Sequence, residues 1–219
     1  MHGICGLGVR LYSPQLFNFF LFRRLFLNLL YKPIIMKRNL FLSVALLFAF
    51  TTIAWAQSAV PSTETLLKQA YAQAKKENKN VMVIFHASWC GWCKKMEASM
   101  NEPNLKKFFD DNYVVAELVV KESKGKEHLE NAGSLALMNK YKGDKAGLPY
   151  WFVTDASGKE LADSQARPEG AGLDTYGDNV GCPASEKEVA YFAKVLKATS
   201  RLKDKEIALI SERFARNKE

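Results

Sequence analysis

The chain has 219 residues, of which 48% are hydrophobic and 25% are charged, so it can form one domain with a substantial core and additional segments. Its formal net charge of +8 favours an anionic partner, but six basic residues and no acidic residue precede Gln57. From Gln57 onward basic and acidic side chains nearly balance, which excludes a nucleic-acid-binding surface as the explanation of the charge.

A targeting segment is predicted at residues 36–56. Met36 opens a short basic stretch, residues 40–50 are apolar, and Ala54–Ala56 has the small-x-small pattern of a cleavage site before Gln57. This order is typical of a secretory signal peptide, and the apolar stretch is short for a membrane span. We therefore expect a periplasmic or secreted protein; an uncleaved signal anchor is the alternative.

The residues before this segment are interpreted separately. A signal peptide normally begins at its initiator methionine, and Met36 fits that role. We therefore expect residues 1–35 to be an upstream extension outside the working protein, with a membrane-associated extension as the alternative. Residues 57–219 are expected to form a single domain that includes a C-terminal helical tail and has no membrane span.

The first elements of this domain lead to a pair of cysteines. An amphipathic helix is predicted after Thr63, and the apolar, β-branched run at residues 81–86 predicts a strand buried on both faces. Cys90 and Cys93 follow with the spacing C-x-x-C, and a helix is predicted from about residue 90 to residue 100. The pattern indicates a buried strand that delivers two thiols to the start of a helix.

Helical and strand patterns continue after the cysteines. Residues 163–183 are rich in glycine and show no periodicity, which indicates a long loop. Ser185 and Glu188 form a capping-box pattern at the start of a helix, and the helix after it is interpreted as an appendage. The other predicted elements are helices at 104–111, 131–141, 185–198 and 203–216, strands at 113–120, 150–154 and 159–162, and a solvated loop at 121–126.

The two cysteines are the candidate catalytic groups. Backbone N–H groups at a helix start favour a thiolate at Cys90, whose sulfur we expect to be exposed. Cys93 lies one turn later and is expected to be more buried, in a position to resolve a mixed disulfide by attacking Cys90. Two alternatives stay open: a zinc site, for which one C-x-x-C supplies two of four ligands, and a purely structural disulfide.

The strand, the C-x-x-C pair and the following helix resemble the thioredoxin superfamily. A second landmark also matches, because Gly147, Leu148 and Pro149 precede an apolar strand as in that family's element with a cis proline. The resemblance covers about residues 63–163 and implies an α/β thioredoxin-like fold, with a mixed central sheet flanked by helices and an extra C-terminal helix. The residues that it places against a substrate are Trp89, Gly91, Trp92, Leu148 and Pro149.

The resemblance also implies a function. It implies a thiol–disulfide oxidoreductase acting as a monomer on protein substrates, with a redox partner protein and without an organic cofactor or a metal. Trp92 replaces a proline of thioredoxin, which leaves the direction of electron flow open. Ile84 replaces a buried aspartate that assists proton transfer from the second cysteine, which favours a specialised extracytoplasmic relative. The alternative function is a thioredoxin-fold binding or chaperone module with a secondary or structural dithiol.

Four other side chains could take part in the chemistry. Lys94 and Lys95 are interpreted as residues of the helix surface, and His86 as a packing residue at the strand end. Cys182 lacks a partner if Cys90 and Cys93 pair, so in an oxidising compartment it is a reactive thiol, an intermolecular link or a buried inert thiol.

We predict that the precursor is cut after Ala56, because the basic, apolar and small-x-small segments follow one another from Met36. N-terminal sequencing of the exported protein should therefore begin at Gln57. An exported form that keeps residues 40–50 would contradict this prediction.

Overall fold

A mixed four-stranded sheet carries the fold. The computed structural model describes residues 60–218, so the predicted extension and signal peptide at residues 1–56 lie outside the described residues. The strands are β1 (Asn80–His86), β2 (Tyr113–Val119), β3 (Tyr150–Thr154) and β4 (Glu160–Asp163), in the order β2-β1-β3-β4. β1 is parallel to β2 and antiparallel to β3, which confirms the predicted mixed sheet.

β1 is buried on both faces, as its apolar sequence predicts. Successive side chains of a strand point to opposite faces, so the run divides between two cores. Met82 and Ile84 belong to one hydrophobic cluster, and Val81, Val83 and Phe85 belong to the other. Both faces of the sheet must therefore be covered by helices.

Helices on both faces supply that cover. Within residues 60–218 there are six α-helices, of which α1 and α4 pack into the cluster with Phe85 and the other four pack into the cluster with Ile84. No helix in this part of the chain is long and apolar enough to cross a membrane. The bounds are α1 Thr63–Glu77, α2 Gly91–Met100, α3 Lys106–Asn112, α4 Ser134–Lys140, α5 Glu186–Thr199 and α6 Asp204–Ala215, with short 3-10 turns at Glu127–Leu129 and Arg216–Lys218.

Two helices differ from the sequence-based prediction. α6 is not an appendage, because Ile207, Ile210 and Phe214 are buried in the same cluster as β1. Burial of a large apolar side chain contributes about 1.5–3 kcal/mol, so α6 is integral to the fold. α4 begins at Ser134 rather than at Asn131, whose side chain accepts a hydrogen bond from the N–H of Val119 at 2.6 Å.

The start of α5 agrees with the sequence. Ser185 accepts a hydrogen bond from the N–H of Glu188, and the Glu188 carboxylate accepts one from the N–H of Ser185, which confirms the predicted capping box. Such caps contribute about 1 kcal/mol each by satisfying backbone groups at the helix start.

The region predicted as a long loop contains a second, small sheet. β5 (Gln165–Ala166) pairs antiparallel with β6 (Asp178–Asn179). At its base the Arg167 guanidinium donates to the Asp163 carboxylate at 2.6 Å, and the two side chains are only 5% and 0% exposed. This buried ion pair orders a glycine-rich stretch that has no periodicity of its own.

Glu160 on β4 gives a testable pH dependence. Burial, together with the nearby charge of Asp163, raises the pKa of its carboxyl to about 7. Because an unfolded glutamate has a pKa of about 4.3, the folded state holds the proton more tightly, and the free energy of unfolding should fall as the pH rises between these two values. Glu160→Gln should remove this fall and stabilise the protein near pH 8 by about 1 kcal/mol, since solvent still reaches the half-buried carboxyl.

Urea unfolding of both proteins near pH 5 and near pH 8 measures this effect. Glu169→Gln, which changes an exposed carboxylate, is the matched control and should behave as the wild type. An unchanged pH dependence in Glu160→Gln would show that another group is responsible.

Candidate active site

The cysteine pair lies where β1 meets α2. Cys90 is the N-cap of α2, and its sulfur accepts a hydrogen bond from the N–H of Cys93 at 3.1 Å. The two cysteines form a disulfide with their Cα atoms 5.3 Å apart. The predicted position of Cys90 at the helix start is confirmed. After reduction, the N–H groups and the positive end of the helix dipole favour a thiolate there.

Two expectations are wrong for this disulfide form: Cys90 is not exposed, and Cys93 is not more buried than Cys90. Cys90 is 3% exposed and Cys93 is 7% exposed, and the two form a hydrophobic cluster with Ala87 against which Leu148 packs. The exposed surface beside the disulfide is aromatic instead. Trp89 and Trp92 flank the pair and are 55% and 47% exposed.

Residues 121 and 122, after β2, form hydrogen bonds with the turn before Cys90. The Glu122 carboxylate accepts hydrogen bonds from the N–H of Ser88 at 2.5 Å and from its hydroxyl at 2.7 Å. The bond from the Ser88 N–H is the main reason that the pKa of Glu122 lies below its usual range. The indole N–H of Trp89 donates to the carbonyl of Lys121 at 2.8 Å. The sequence predicted only a solvated loop at 121–126, so this support was missed.

The second landmark lies beside the disulfide. The Leu148–Pro149 peptide bond is cis, which confirms the prediction made from the resemblance. Leu148 packs against the disulfide from the side of β3. The aromatic run that follows, from Tyr150 to Phe152, is fully buried, so it forms core and not a binding face.

A cavity of about 290 Å³ lies next to Cys93 and is lined by Ile84, His86, Glu97 and Glu117 among other residues. Ile84 is buried, so the position of the thioredoxin aspartate is apolar. Glu97 and Glu117 are exposed, whereas His86 is half-buried. The two carboxylates that line this cavity therefore remain in contact with water.

Lys94 and Lys95 are exposed on α2, as the sequence predicted. The Lys95 ammonium lies 5.0 Å from the centre of the Trp92 ring and donates to the carbonyl of Asn217 at 2.9 Å. Lys95 thus links Trp92 to the C-terminal 3-10 turn. A cation over an exposed indole contributes about 0.5–1 kcal/mol.

Cys182 lies in the hydrophobic core, so of the three interpretations the structure supports a buried thiol. It belongs to the cluster that contains Met96 of α2, and its sulfur accepts a hydrogen bond from the Asn217 amide at 3.3 Å. Burial raises the pKa of the Cys182 thiol to about 12.

A protein-family match agrees with this geometry. A family model described as thioredoxin-like matches residues 63–163. Among solved structures, a disulphide isomerase from Xylella fastidiosa Temecula1 is 18% identical with a TM-score of 0.40, and the match covers 75% of this chain and 95% of that chain. No curated protein matches the sequence.

Two further solved structures are similar. The C-terminal domain of DsbD from Neisseria meningitidis, in its oxidised form, is 20% identical with a TM-score of 0.36, and the match covers 63% of this chain and 98% of that chain. A structure named DsbH oxidoreductase is 25% identical with a TM-score of 0.36, covering 63% and 81%.

The burial of Cys182 predicts that it is inert in the folded protein. Iodoacetamide near pH 8 should alkylate Cys182 at least about 100-fold more slowly than in urea-unfolded protein, because a buried thiol with a raised pKa offers little thiolate. Mass spectrometry of the alkylated peptides measures both rates. Rapid labelling in the native protein, or loss of disulfide exchange in a folded Cys182→Ser variant, would instead make it a third redox thiol.

Proposed function

We propose that this protein, whose residues 63–163 match a thioredoxin-like family model, is a thiol–disulfide oxidoreductase that exchanges disulfides with protein substrates outside the cytoplasm. The observation that carries the proposal is the placement of Cys90. It caps α2, forms the disulfide with Cys93 and lies against Leu148. A reducible bond is thereby set between a helix start that stabilises a thiolate and a chain segment that a substrate can approach.

Oxidation of a substrate dithiol takes two exchange steps. A substrate thiolate attacks the Cys90 sulfur of the disulfide, a mixed disulfide forms, and Cys93 leaves as a thiolate that takes up a proton. A second substrate thiolate attacks the substrate sulfur of the mixed disulfide, which oxidises the substrate and releases Cys90 as a thiolate. Run in reverse, the same steps reduce a substrate disulfide, with Cys93 as the resolving group.

The substrate surface is formed by residues around the pair. Trp89 and Trp92 present apolar aromatic area that suits exposed side chains of an unfolded or flexible protein. A Cβ built on Gly91 meets no atom within 4 Å, so the surface between the cysteines is open to a partner. Leu148 and Pro149 border the disulfide on the other side.

The proposal includes an oxidising compartment and a redox partner protein. The predicted signal peptide and a disulfide-bonded active form both suit an oxidising compartment such as the periplasm. In each cycle a redox partner protein must restore the starting state of the dithiol, and no organic cofactor enters the exchange. The Cys90–Cys93 reduction potential decides the direction: a strongly reducing value indicates a reductase, and a high value an oxidase or isomerase.

The distinct roles of the cysteines are tested by single substitutions. Cys90→Ser should abolish exchange with a disulfide protein such as insulin, because the group at the helix start is lost. Cys93→Ser should still form a mixed disulfide but fail to resolve it, so that a covalent adduct accumulates and disappears with dithiothreitol. Non-reducing gel electrophoresis and mass spectrometry detect the adduct.

Cys182→Ser is the matched control and should exchange disulfides as the wild type does. In the reduced protein, iodoacetamide near neutral pH should label Cys90 before Cys93. Equal, slow labelling with no adduct in Cys93→Ser would favour a binding or chaperone module with a structural disulfide.

A further inference from the structure

The small β5–β6 sheet lies outside the span that matches the thioredoxin-like family, yet it contacts the segment beside the disulfide. The amide nitrogen of Asn179 on β6 donates to the carbonyl of Gly147 at 3.0 Å and to the carbonyl of Pro149 at 3.2 Å. The Asn179 side chain therefore binds the backbone on both sides of Leu148.

The Asn179 amide is fixed in orientation. Its oxygen accepts hydrogen bonds from the Ser164 hydroxyl at 2.7 Å and from the N–H of Gly181 at 3.3 Å. Both amide hydrogens and both lone pairs are thus used, which is the full capacity of an asparagine. Reversing the amide would set its oxygen against two carbonyls, so only one orientation satisfies all four contacts.

Buried contacts hold the base of the β5–β6 sheet. The buried pair of Asp163 and Arg167 fixes the start of β5, and the indole N–H of Trp151 donates to the carbonyl of Gly181 at 2.8 Å. Gly181 has φ +57°, and a Cβ there would lie 3.2 Å from the carbonyl oxygen of Pro149. Glycine at this position therefore lets the chain after β6 approach Pro149 closely, beside a carbonyl that Asn179 binds.

The segment that Asn179 binds includes Leu148, whose peptide groups are unpaired among the described residues. Within residues 60–218, neither the N–H nor the carbonyl of Leu148 has a hydrogen-bond partner, although both neighbouring carbonyls are bound by Asn179. Leu148 meanwhile packs against the cluster formed by Ala87, Cys90 and Cys93. An unpaired N–H and C=O next to a reactive bond is the pattern that pairs with an extended polypeptide.

We propose that Asn179 is a positioning residue that confers a preference for polypeptide disulfides, by holding Gly147 and Pro149 so that Leu148 can pair with a substrate backbone beside the cysteine pair. This inference rests on the proposed function and deepens it. A small disulfide without a peptide backbone uses the same sulfur chemistry but gains nothing from Leu148. Loss of the Asn179 amide should therefore separate the two kinds of substrate.

The test compares exchange with insulin and with hydroxyethyl disulfide, a small disulfide that has no peptide group. In Asn179→Ala, kcat/KM for insulin should fall about 10-fold, mainly through KM, because the segment is held less accurately. The rate with hydroxyethyl disulfide should stay within about 2-fold of the wild-type rate. The Cys90–Cys93 reduction potential should be unchanged. Asp178→Ala is the matched control: it changes an exposed neighbour on β6 and should leave both rates unaltered.

A second variant guards against simple unfolding. Asn179→Asp keeps the size of the side chain and an oxygen for Ser164 and Gly181, but it sets a carboxylate against the two carbonyls. It should show the same selective loss for insulin, to a larger extent, with near-UV circular dichroism like that of the wild type.

Three outcomes overturn the inference. Full insulin turnover in both Asn179 variants removes the positioning role while the proposed function stands. An equal loss with both substrates, accompanied by slower alkylation of Cys90, shows that Asn179 acts on the dithiol and not on substrate pairing. If the wild type exchanges neither substrate, the proposed function fails, and the positioning role fails with it.

Discussion

The burial of β1 on both faces is the constraint on which the rest of the structure depends. Its apolar side chains alternate between two hydrophobic clusters, so helices must cover the sheet on each side. β2 pairs with one edge along the whole strand and β3 pairs with the other edge at residues 81–85, which satisfies most of the backbone groups of β1. The chain can leave this enclosed position only at the strand end, and there Cys90 caps α2.

The site is assembled at that strand end by contacts between side chains and backbone. Glu122 holds Ser88 before the first cysteine, Lys95 links Trp92 to the C-terminal turn, and Asn179 holds the segment around Leu148. Each contact joins a different element to the same small surface. The disulfide can therefore be nearly buried and still have a defined rim, which is what pairing with a specific substrate geometry requires.

Polar groups in the core have a comparable organising role. The pair of Asp163 and Arg167 is almost fully buried, and removing one partner of such a pair costs about 3–5 kcal/mol because the other charge is stranded. Its contribution is to fix the path of a glycine-rich chain rather than to add net stability. The pair flanks β5, which pairs with the strand that carries Asn179, so a buried ion pair supports the surface beside the disulfide.

The sequence by itself determined the elements that depend on local patterns. The buried character of β1, the C-x-x-C pair at the start of a helix, the capping box at Ser185 and the Pro149 landmark are each legible within a short window of residues. Only the tertiary structure decided that both cysteines are nearly buried, that α6 belongs to the core and that Cys182 is enclosed. It also decided the contacts of Glu122 and Asn179, which reach partners 34 and 32 residues away. Periodicity and capping act between near neighbours, whereas these contacts form only after the sheet has brought distant segments together.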